Sequence, residues 1–144
     1  MSKLIFINLP VTDLARATAF YESVGAAKNP DFSNDVASCM VLSETIHVML
    51  LTHPFFNQFT TKKIATPDTC EVLICVSAES REGVDEMVEA AARAGGRADP
   101  NPTQDHGSMY GRSFEDPDGH IWEVMWMDVA AHLAGGGERV PEVA

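Results

Sequence analysis

The order strand, helix and three strands is predicted twice along this chain, and no other feature restricts its fold as much. In the first half, residues 3–9 are rich in β-branched and aromatic side chains and predict a strand that Pro10 closes. Apolar residues then recur at helical spacing, with Thr12 as the predicted N-cap and Gly25 at the end. Turn residues divide the remainder into three predicted strands, near residues 26–32, 36–42 and 46–51.

The second half repeats this order. Residues 71–76 predict a strand, and Ser80 caps a predicted helix that stops at the paired glycines Gly95 and Gly96. Three predicted strands follow, at residues 97–99, 109–114 and 120–127, and the hairpin loop Asp116-Pro117-Asp118-Gly119 joins the last two. The halves share element order and the phase of their apolar residues rather than sequence identity. We therefore predict an α+β fold of two βαβββ modules.

A long segment separates the two predicted modules. The predicted divisions are a first module at residues 1–52, a connecting segment at 53–69, a second module at 70–128 and a C-terminal tail at 129–144. The connecting segment carries Phe55, Phe56 and Phe59, which argues against disorder, and Pro54 can begin one helical turn there. Two roles stay open: the aromatic rings border the mouth of a ligand cavity, or they plug the core or a dimer interface. The tail from Ala134 is predicted to be loose.

Charge and cysteine content exclude several kinds of partner. Ten Lys and Arg against 21 Asp and Glu leave a net charge of -11, and no basic run exceeds Lys62-Lys63, so we expect no nucleic acid or membrane partner. The cysteines Cys39, Cys70 and Cys75 lie in apolar runs without metal-ligand spacing, and we interpret them as reduced core thiols of a cytoplasmic protein. The N-terminus lacks the pattern of a signal peptide.

Two motifs near the ends of the chain resemble those of a known superfamily. Residues 7–25, INLPVTDLARATAFYESVG, are similar to an opening motif of V-x-D-L and a helix ending in F-Y-x-x-x-G. Residues 114–125, FEDPDGHIWEVM, are similar to a closing motif, F-x-D-P-D-G-x-x-x-E. On these residues the chain resembles the vicinal-oxygen-chelate superfamily of glyoxalases, bleomycin-resistance proteins and extradiol dioxygenases, over residues 3–128. The resemblance implies that each module curls into a half-barrel, that the concave faces hold a small-molecule ligand, and that a homodimer closes each cavity.

In metal-dependent members of that superfamily, His or Glu from the first and fourth strand of each module holds a divalent ion. The resemblance assigns these positions to Phe6 and Met49 in the first module and to Glu71 and Glu123 in the second. Phe6 cannot bind a metal, and two carboxylates alone make a poor site, so these four positions do not predict a site for a divalent metal. A shifted set of His47, Glu71 and Glu123 is the alternative ligand set. No nucleotide cofactor is predicted.

Strand parity adds candidate substrate-binding residues to the concave faces. Asn8 lies two residues beyond Phe6, and His47 lies two residues before Met49, so each shares a face with its neighbour. Ser113 belongs to the strand before the closing turn, where relatives in the fosfomycin-resistance group use small hydroxyls to bind substrate. We predict substrate contacts at all five residues.

Glu123 is the residue that the closing motif assigns to the cavity. It lies between Trp122 and Val124 in an otherwise apolar strand, where an unpaired buried charge is costly. The functional interpretation is a base, a metal ligand or a substrate-recognition group, and the structural one is an edge strand with Glu123 in water. Glu71 begins its own strand, so exposure to solvent explains it equally well.

Other aromatic and polar residues have structural interpretations. Trp122 and Trp126 share one face of the last strand and are predicted to pack against a helix. His106 and His120 lie beside turns and are expected to face solvent. Arg112 is expected on the face that points away from the site.

Two classes of function are compatible with these residues. The first is a glyoxalase-like enzyme, a lyase or isomerase, in which Glu123 is the base and Glu71 its partner in proton transfer on a small carbonyl compound or thiol adduct. The second is a non-catalytic protein of the bleomycin-resistance type that sequesters an aromatic or cationic compound. An extradiol dioxygenase fits least, because Phe6 and Glu71 stand where its iron site needs histidines. The lining that suits a binding protein comprises Phe6, Met49, Leu51, Leu73 and Met125.

Overall fold

The structure, a computed structural model, describes residues 2–134. Its elements follow the order of two βαβββ modules joined by a short helix, so the predicted α+β fold is confirmed. No helix in this range has the length and apolarity needed to cross a membrane. The described residues end with the short helix α4 (Val129–Ala134), and the loose tail predicted beyond it lies outside them.

The first module is a four-stranded sheet with one α-helix. Its elements are β1 (Ile5–Val11), α1 (Leu14–Ser23), β2 (Ala27–Asn29), β3 (Ala37–Val41) and β4 (Ile46–Thr52). The first strand β1 pairs with β4 in parallel, and the antiparallel strands β3 and β2 continue the sheet. The strand order is therefore β1-β4-β3-β2, with β1 at an edge.

The start of α1 differs from the prediction. Asp13, not Thr12, is the N-cap, because its side chain accepts the Arg16 N–H at 3.0 Å. The Thr12 hydroxyl instead donates a hydrogen bond to the carboxylate of Asp118 in the second module, at 2.8 Å. Pro10 also does not end β1, which runs on to Val11, since an edge strand tolerates a missing N–H.

The second module repeats the first with one additional strand. It contains β5 (Leu73–Ser77), α3 (Arg81–Arg93), β6 (Arg97–Ala98), β7 (Gln104–Asp105), β8 (Met109–Glu115) and β9 (Ile121–Met127). The sheet order is β5-β9-β8-β6, and β7 also pairs with β8. Ser80 caps α3 as predicted and accepts the Gly83 N–H at 3.0 Å. The strand β7 was not predicted, because its two residues follow the turn-forming Pro100 and Pro102.

The two modules share one apolar core. Phe20 and Tyr21 of α1 reach across to the second sheet, where their rings lie 5.9 Å from those of Phe114 and Trp122, respectively. One face of each sheet and both long helices contribute to this core. Trp122 is buried, and it packs in the core with Trp126 as predicted.

The other face of each sheet points away from the shared core. Side chains alternate along a strand, so Glu123 projects opposite to its buried neighbour Trp122. In the first sheet, His47 likewise projects opposite to the buried Val48. We call these the outer faces, and within one chain they open in different directions.

A buried chain of hydrogen bonds ties the modules together. The indole N–H of Trp122 donates to the Tyr21 hydroxyl at 3.0 Å, which donates to Asp116 at 2.6 Å. The other oxygen of Asp116 accepts the backbone N–H groups of Asp118 and His120, at 2.9 and 2.8 Å. The predicted hairpin loop at residues 116–119 is therefore also a contact between modules.

His120 is 5% exposed, so the expectation that it faces solvent was wrong. The turn folds back onto the end of β1, where Nε2 of His120 donates to the Pro10 carbonyl at 2.8 Å. The other ring nitrogen, Nδ1, lies 3.3 Å from the Glu71 carboxylate. Burial lowers the pKa of His120, but the charge of Asp116 and these two contacts outweigh it and raise the pKa above its usual value. His106 is exposed, as expected.

The interpretation of all three cysteines as core thiols was also wrong. Cys39 is buried, but Cys70 and Cys75 are exposed. Cys75 alternates with core residues along the edge strand β5 and projects from its outer face. Apolar neighbours in the sequence do not distinguish the two faces of an edge strand, which is why the interpretation failed.

Candidate functional site

Three polar side chains form a row across the outer face of the second sheet. Cys75 on β5 is the register partner of Glu123 on β9, and Glu123 is the partner of Ser113 on β8. Such partners lie about 5 Å apart on one face of a sheet. Together with Asn101 they line a cavity of about 80 Å³. At about 30 Å³ for each water molecule, this cavity accommodates only a few non-hydrogen atoms of a ligand.

The Glu123 carboxylate is the free acceptor in this row. It is half-buried, and no other residue of the described range forms a hydrogen bond or ion pair with it. Burial and, to a smaller extent, the charge of Glu123 raise the pKa of the Cys75 thiol. The thiol is therefore protonated at neutral pH and faces an unpaired carboxylate.

Ser113 lies in the row, but its hydroxyl is already engaged. Its side chain is buried, and its Oγ accepts the Asn101 N–H at 3.0 Å. This bond holds the loop after β6 against the cavity and keeps the cavity narrow. The role of Ser113 as a substrate contact stays a prediction.

Arg112 projects from the opposite face, as expected. Its guanidinium is mostly buried and pairs with Asp85, Glu89 and Asp99 at 2.9, 2.9 and 2.7 Å. Because three carboxylates already occupy its donors, this arginine is a structural tie between α3 and β8 rather than an anion-binding group.

The predicted residues of the first module lie on its own outer face. Phe6 stacks on His47 with ring centroids 4.6 Å apart, and Phe6 remains 50% exposed. Nδ1 of His47 is buried without a hydrogen-bond partner among the described residues. Asn8 and Met49 are register partners on β1 and β4, on the same face as that stack. Their role in substrate binding stays a prediction.

Glu71 does not join Glu123. It lies just before β5, and its carboxylate contacts His120 at 3.3 Å. Together with Asn8 it lines a different cavity, of about 330 Å³, which the connecting segment covers. Its roles as catalytic partner and metal ligand stay predictions.

The residues present do not fit a divalent metal within one chain. Glu123 and His47 project from different outer faces, while Glu71 is engaged by His120. In residues 2–134, no three His, Cys, Asp or Glu side chains come together as a ligand set. A divalent metal therefore has no assembled ligand set within this part of one chain.

Two residues of the site region were not predicted from the sequence. Cys75 joins Glu123 through strand register, and the uniformly apolar sequence of residues 72–76 concealed its exposure. His120 binds the Pro10 carbonyl, and only the neighbouring Asp116 of the closing motif hinted at a buried polar cluster. Both residues take their place through contacts with residues that are distant in the sequence, and patterns of neighbouring residues do not predict such contacts.

The fold of two paired βαβββ modules places the chain in a class of proteins that is defined by this architecture rather than by one activity. The family model described as the Glyoxalase/Bleomycin resistance protein/Dioxygenase superfamily matches residues 3–124. The chain belongs to this superfamily, and the predicted resemblance is confirmed.

Several solved structures share the fold. The hypothetical protein SA1046 from S. aureus is 28% identical, with a TM-score of 0.71 over 88% of this chain and 95% of that one. A glyoxalase/bleomycin resistance protein/dioxygenase family enzyme from Burkholderia phytofirmans is 17% identical, with a TM-score of 0.71 over 88% and 99%. The fosfomycin resistance protein FosX from Mesorhizobium loti is 18% identical, with a TM-score of 0.66 over 92% and 98%. No curated protein matches the chain.

Proposed function

We propose that this protein is a glyoxalase-like enzyme that moves a proton on a small carbonyl compound or its thiol adduct, with Glu123 as the base. The observation that carries the proposal is the half-buried Glu123 carboxylate, which lines a cavity and has no hydrogen-bond or ion-pair partner in the described range. A positioned carboxylate can take the acidic C–H proton beside a carbonyl group. The neighbouring Cys75 thiol, which stays protonated, offers a weak donor to the oxygen that becomes negative.

Proton exchange with solvent tests this proposal. The substrate probe is the hemithioacetal that methylglyoxal forms with 2-mercaptoethanol, followed in D₂O by the loss of its C–H signal in proton NMR. We expect the protein to accelerate the exchange and Glu123→Gln to slow it by at least about a hundredfold. The matched control is Glu115→Gln, which removes a carboxylate from the same face of β8 and should leave the rate unchanged.

Two outcomes would contradict the proposal: no acceleration by the unmodified protein, or an unchanged rate in the Glu123→Gln variant. Glu71→Gln separately tests the predicted role of Glu71 as a partner in proton transfer. That role requires its carboxylate to leave His120, which it contacts at 3.3 Å. An unchanged rate in Glu71→Gln would remove Glu71 from the mechanism and leave the proposal for Glu123 standing.

We also propose that a second copy of the chain completes the cavity. The cavity of about 80 Å³ at Glu123 is small, and the outer faces of one chain open in different directions. Both β1 and β5 are edge strands that expose apolar side chains, including Phe6 and Leu73 at 50% and 49%. Packing of these side chains against a second copy in a homodimer would cover them and bring a first-module face to a second-module face.

A binding protein of the bleomycin-resistance type is the second candidate, and one observation favours it. The stacked pair Phe6 and His47 forms a flat, accessible platform on the outer face of the first sheet. In a chain with net charge -11, such a platform suits an aromatic cation. Tight binding of the dye acriflavine, lost in Phe6→Ala, would favour this function if the NMR assay shows no proton exchange. Elemental analysis separately shows whether a metal co-purifies.

We infer a cytoplasmic location from the cysteines. All three are free, and Cys70 and Cys75 are exposed. Exposed free thiols persist where the compartment is reducing. Cell fractionation with an antibody against the chain tests this inference.

A further inference from the structure

The connecting segment and the edge of β1 enclose a cavity that is separate from the one at Glu123. Its volume is about 330 Å³, and the residues that line it include the apolar Ile7, Phe56 and Ile64. Small-molecule sites begin at about 300 Å³, so this cavity is large enough for one. At about 30 Å³ for each water molecule, it accommodates roughly eleven waters, or about as many ligand atoms other than hydrogen.

Two lysines form part of the wall of this cavity. Lys62 and Lys63 are both exposed, and neither forms an ion pair with a carboxylate in the described range. Arg81 and Arg112, by contrast, pair with acidic side chains at 2.7 Å. In a chain with 21 acidic residues, two adjacent unpaired ammonium groups beside an apolar cavity have no role in folding that the structure shows.

The carboxylate on the cavity wall already has a hydrogen-bonding partner. Glu71 is the acidic residue among the described side chains that line the cavity, and its carboxylate lies 3.3 Å from Nδ1 of His120. The cavity therefore combines an apolar interior with positive charge that lacks a counterion. This combination selects for an amphiphilic anion, because a neutral compound leaves the ammonium groups unpaired and a cation is repelled by them.

We propose that this cavity binds a small organic carboxylate that has about eight carbon atoms in total and an apolar body. The apolar body lies under the connecting segment against Phe56, and the carboxylate is received by Lys62 and Lys63. Glu123 does not line this cavity, so the proposal does not rest on the proton transfer proposed at Glu123.

Titration with three compounds of equal chain length tests the charge preference. Octanoate, octan-1-ol and octylamine are added separately to ¹⁵N-labelled protein, and the amide signals of Asn8 and Ile64 are followed by NMR. We expect octanoate to shift both signals in a saturable manner and to bind at least about tenfold more tightly than octan-1-ol, with octylamine weakest. Equal affinity for octanoate and octan-1-ol, or no saturable shift at these residues, would overturn the proposal.

Variants then test which residues receive the anion. Replacing both Lys62 and Lys63 by Ala should weaken octanoate binding about tenfold and leave octan-1-ol binding unchanged. Lys28→Ala, at an exposed lysine on β2 outside the cavity, is the matched control and should change neither. Ala65→Trp fills the cavity and should abolish binding of both compounds. An octanoate affinity that is unchanged by the double lysine change, or octanoate binding that survives Ala65→Trp, would contradict the proposed site.

Discussion

Tyr21 is the residue through which α1 reaches the polar interior of the second module. Its hydroxyl accepts from Trp122 and donates to Asp116, and all three side chains are buried. Changing Tyr21 to Phe keeps the ring but leaves two buried polar groups without partners. We expect a loss of at least about 2 kcal/mol in the free energy of unfolding, measured by urea denaturation.

The control for this prediction is Tyr110→Phe. The Tyr110 hydroxyl donates to Asp85, which is only half-buried and is also bound by Arg112. Loss of that single bond should cost less than about 1.5 kcal/mol. Equal losses in the Tyr21 and Tyr110 variants would show that the buried chain of hydrogen bonds does not stabilise the fold.

His120 makes the stability of the protein depend on pH. Both of its ring nitrogens face acceptors, the Pro10 carbonyl and the Glu71 carboxylate, and its pKa in the folded protein is raised. The unfolded value is about 6.5. The resulting stabilisation is therefore fully present below about pH 6.5 and is lost as the pH rises through the folded-state pKa.

We expect the free energy of unfolding to fall from about pH 6.5 upward, by about 1.4 kcal/mol for each unit by which folding raises the pKa of His120. His120→Gln keeps a donor for the Pro10 carbonyl but cannot become charged, so it should lack this decline. The exposed residue His106 gives the control, and His106→Gln should retain it. Parallel pH profiles for the protein and His120→Gln would refute this assignment.

The connecting segment covers the cavity of about 330 Å³, and its phenylalanines differ in their contact with that cavity. Pro54 begins the short helix α2 (His53–Phe56), as predicted, and Phe55 meets Phe59 edge to face with centroids 5.0 Å apart. Phe56 lines the cavity of about 330 Å³, whereas Phe59 is 68% exposed. The sequence left two roles open for this segment, and the position of Phe56 at the cavity favours the role of a cavity border.

Replacing Phe56 and Phe59 by Ala should weaken binding of octanoate more than it lowers the melting temperature. We expect most of the affinity loss from Phe56→Ala alone, because only that ring lines the cavity. Octanoate titration by NMR and thermal unfolding give the two quantities. A large fall in melting temperature with unchanged affinity would mean that the segment plugs the core.

Rules that use only neighbouring residues predicted the helices and strands better than the contacts between distant residues. The cap Ser80 and the glycine that follows α1, Gly25 with a φ of +107°, are predicted from neighbouring residues alone. The bond from His120 to the Pro10 carbonyl spans 110 residues, and no periodicity encodes it. The exposure of Cys75 likewise depends on β5 being an edge strand, which only the assembled sheet reveals.

At the scale of the whole molecule, the candidate site is divided between two surfaces. Glu123 was identified from the closing motif, and it lies on the outer face of the second sheet. His47 lies on the outer face of the first sheet, so the predicted metal set of His47, Glu71 and Glu123 does not assemble within one chain. The residues on each face can be predicted from the sequence. The direction in which each face opens depends on how the helices pack in the shared core, and the sequence does not show this packing.

The central claim is that a working site combines Glu123 of one copy with the first-module face of another. The most direct test mixes two impaired variants, Glu123→Gln and His47→Ala, and allows their subunits to exchange. The proton-exchange rate of the mixture is then measured. Random mixing makes half of the dimers heterodimers, each with one intact site, so we predict recovery of about a quarter of the unmodified rate. A mixed rate equal to the mean of the two separate variants would contradict the claim, as would full activity of His47→Ala alone.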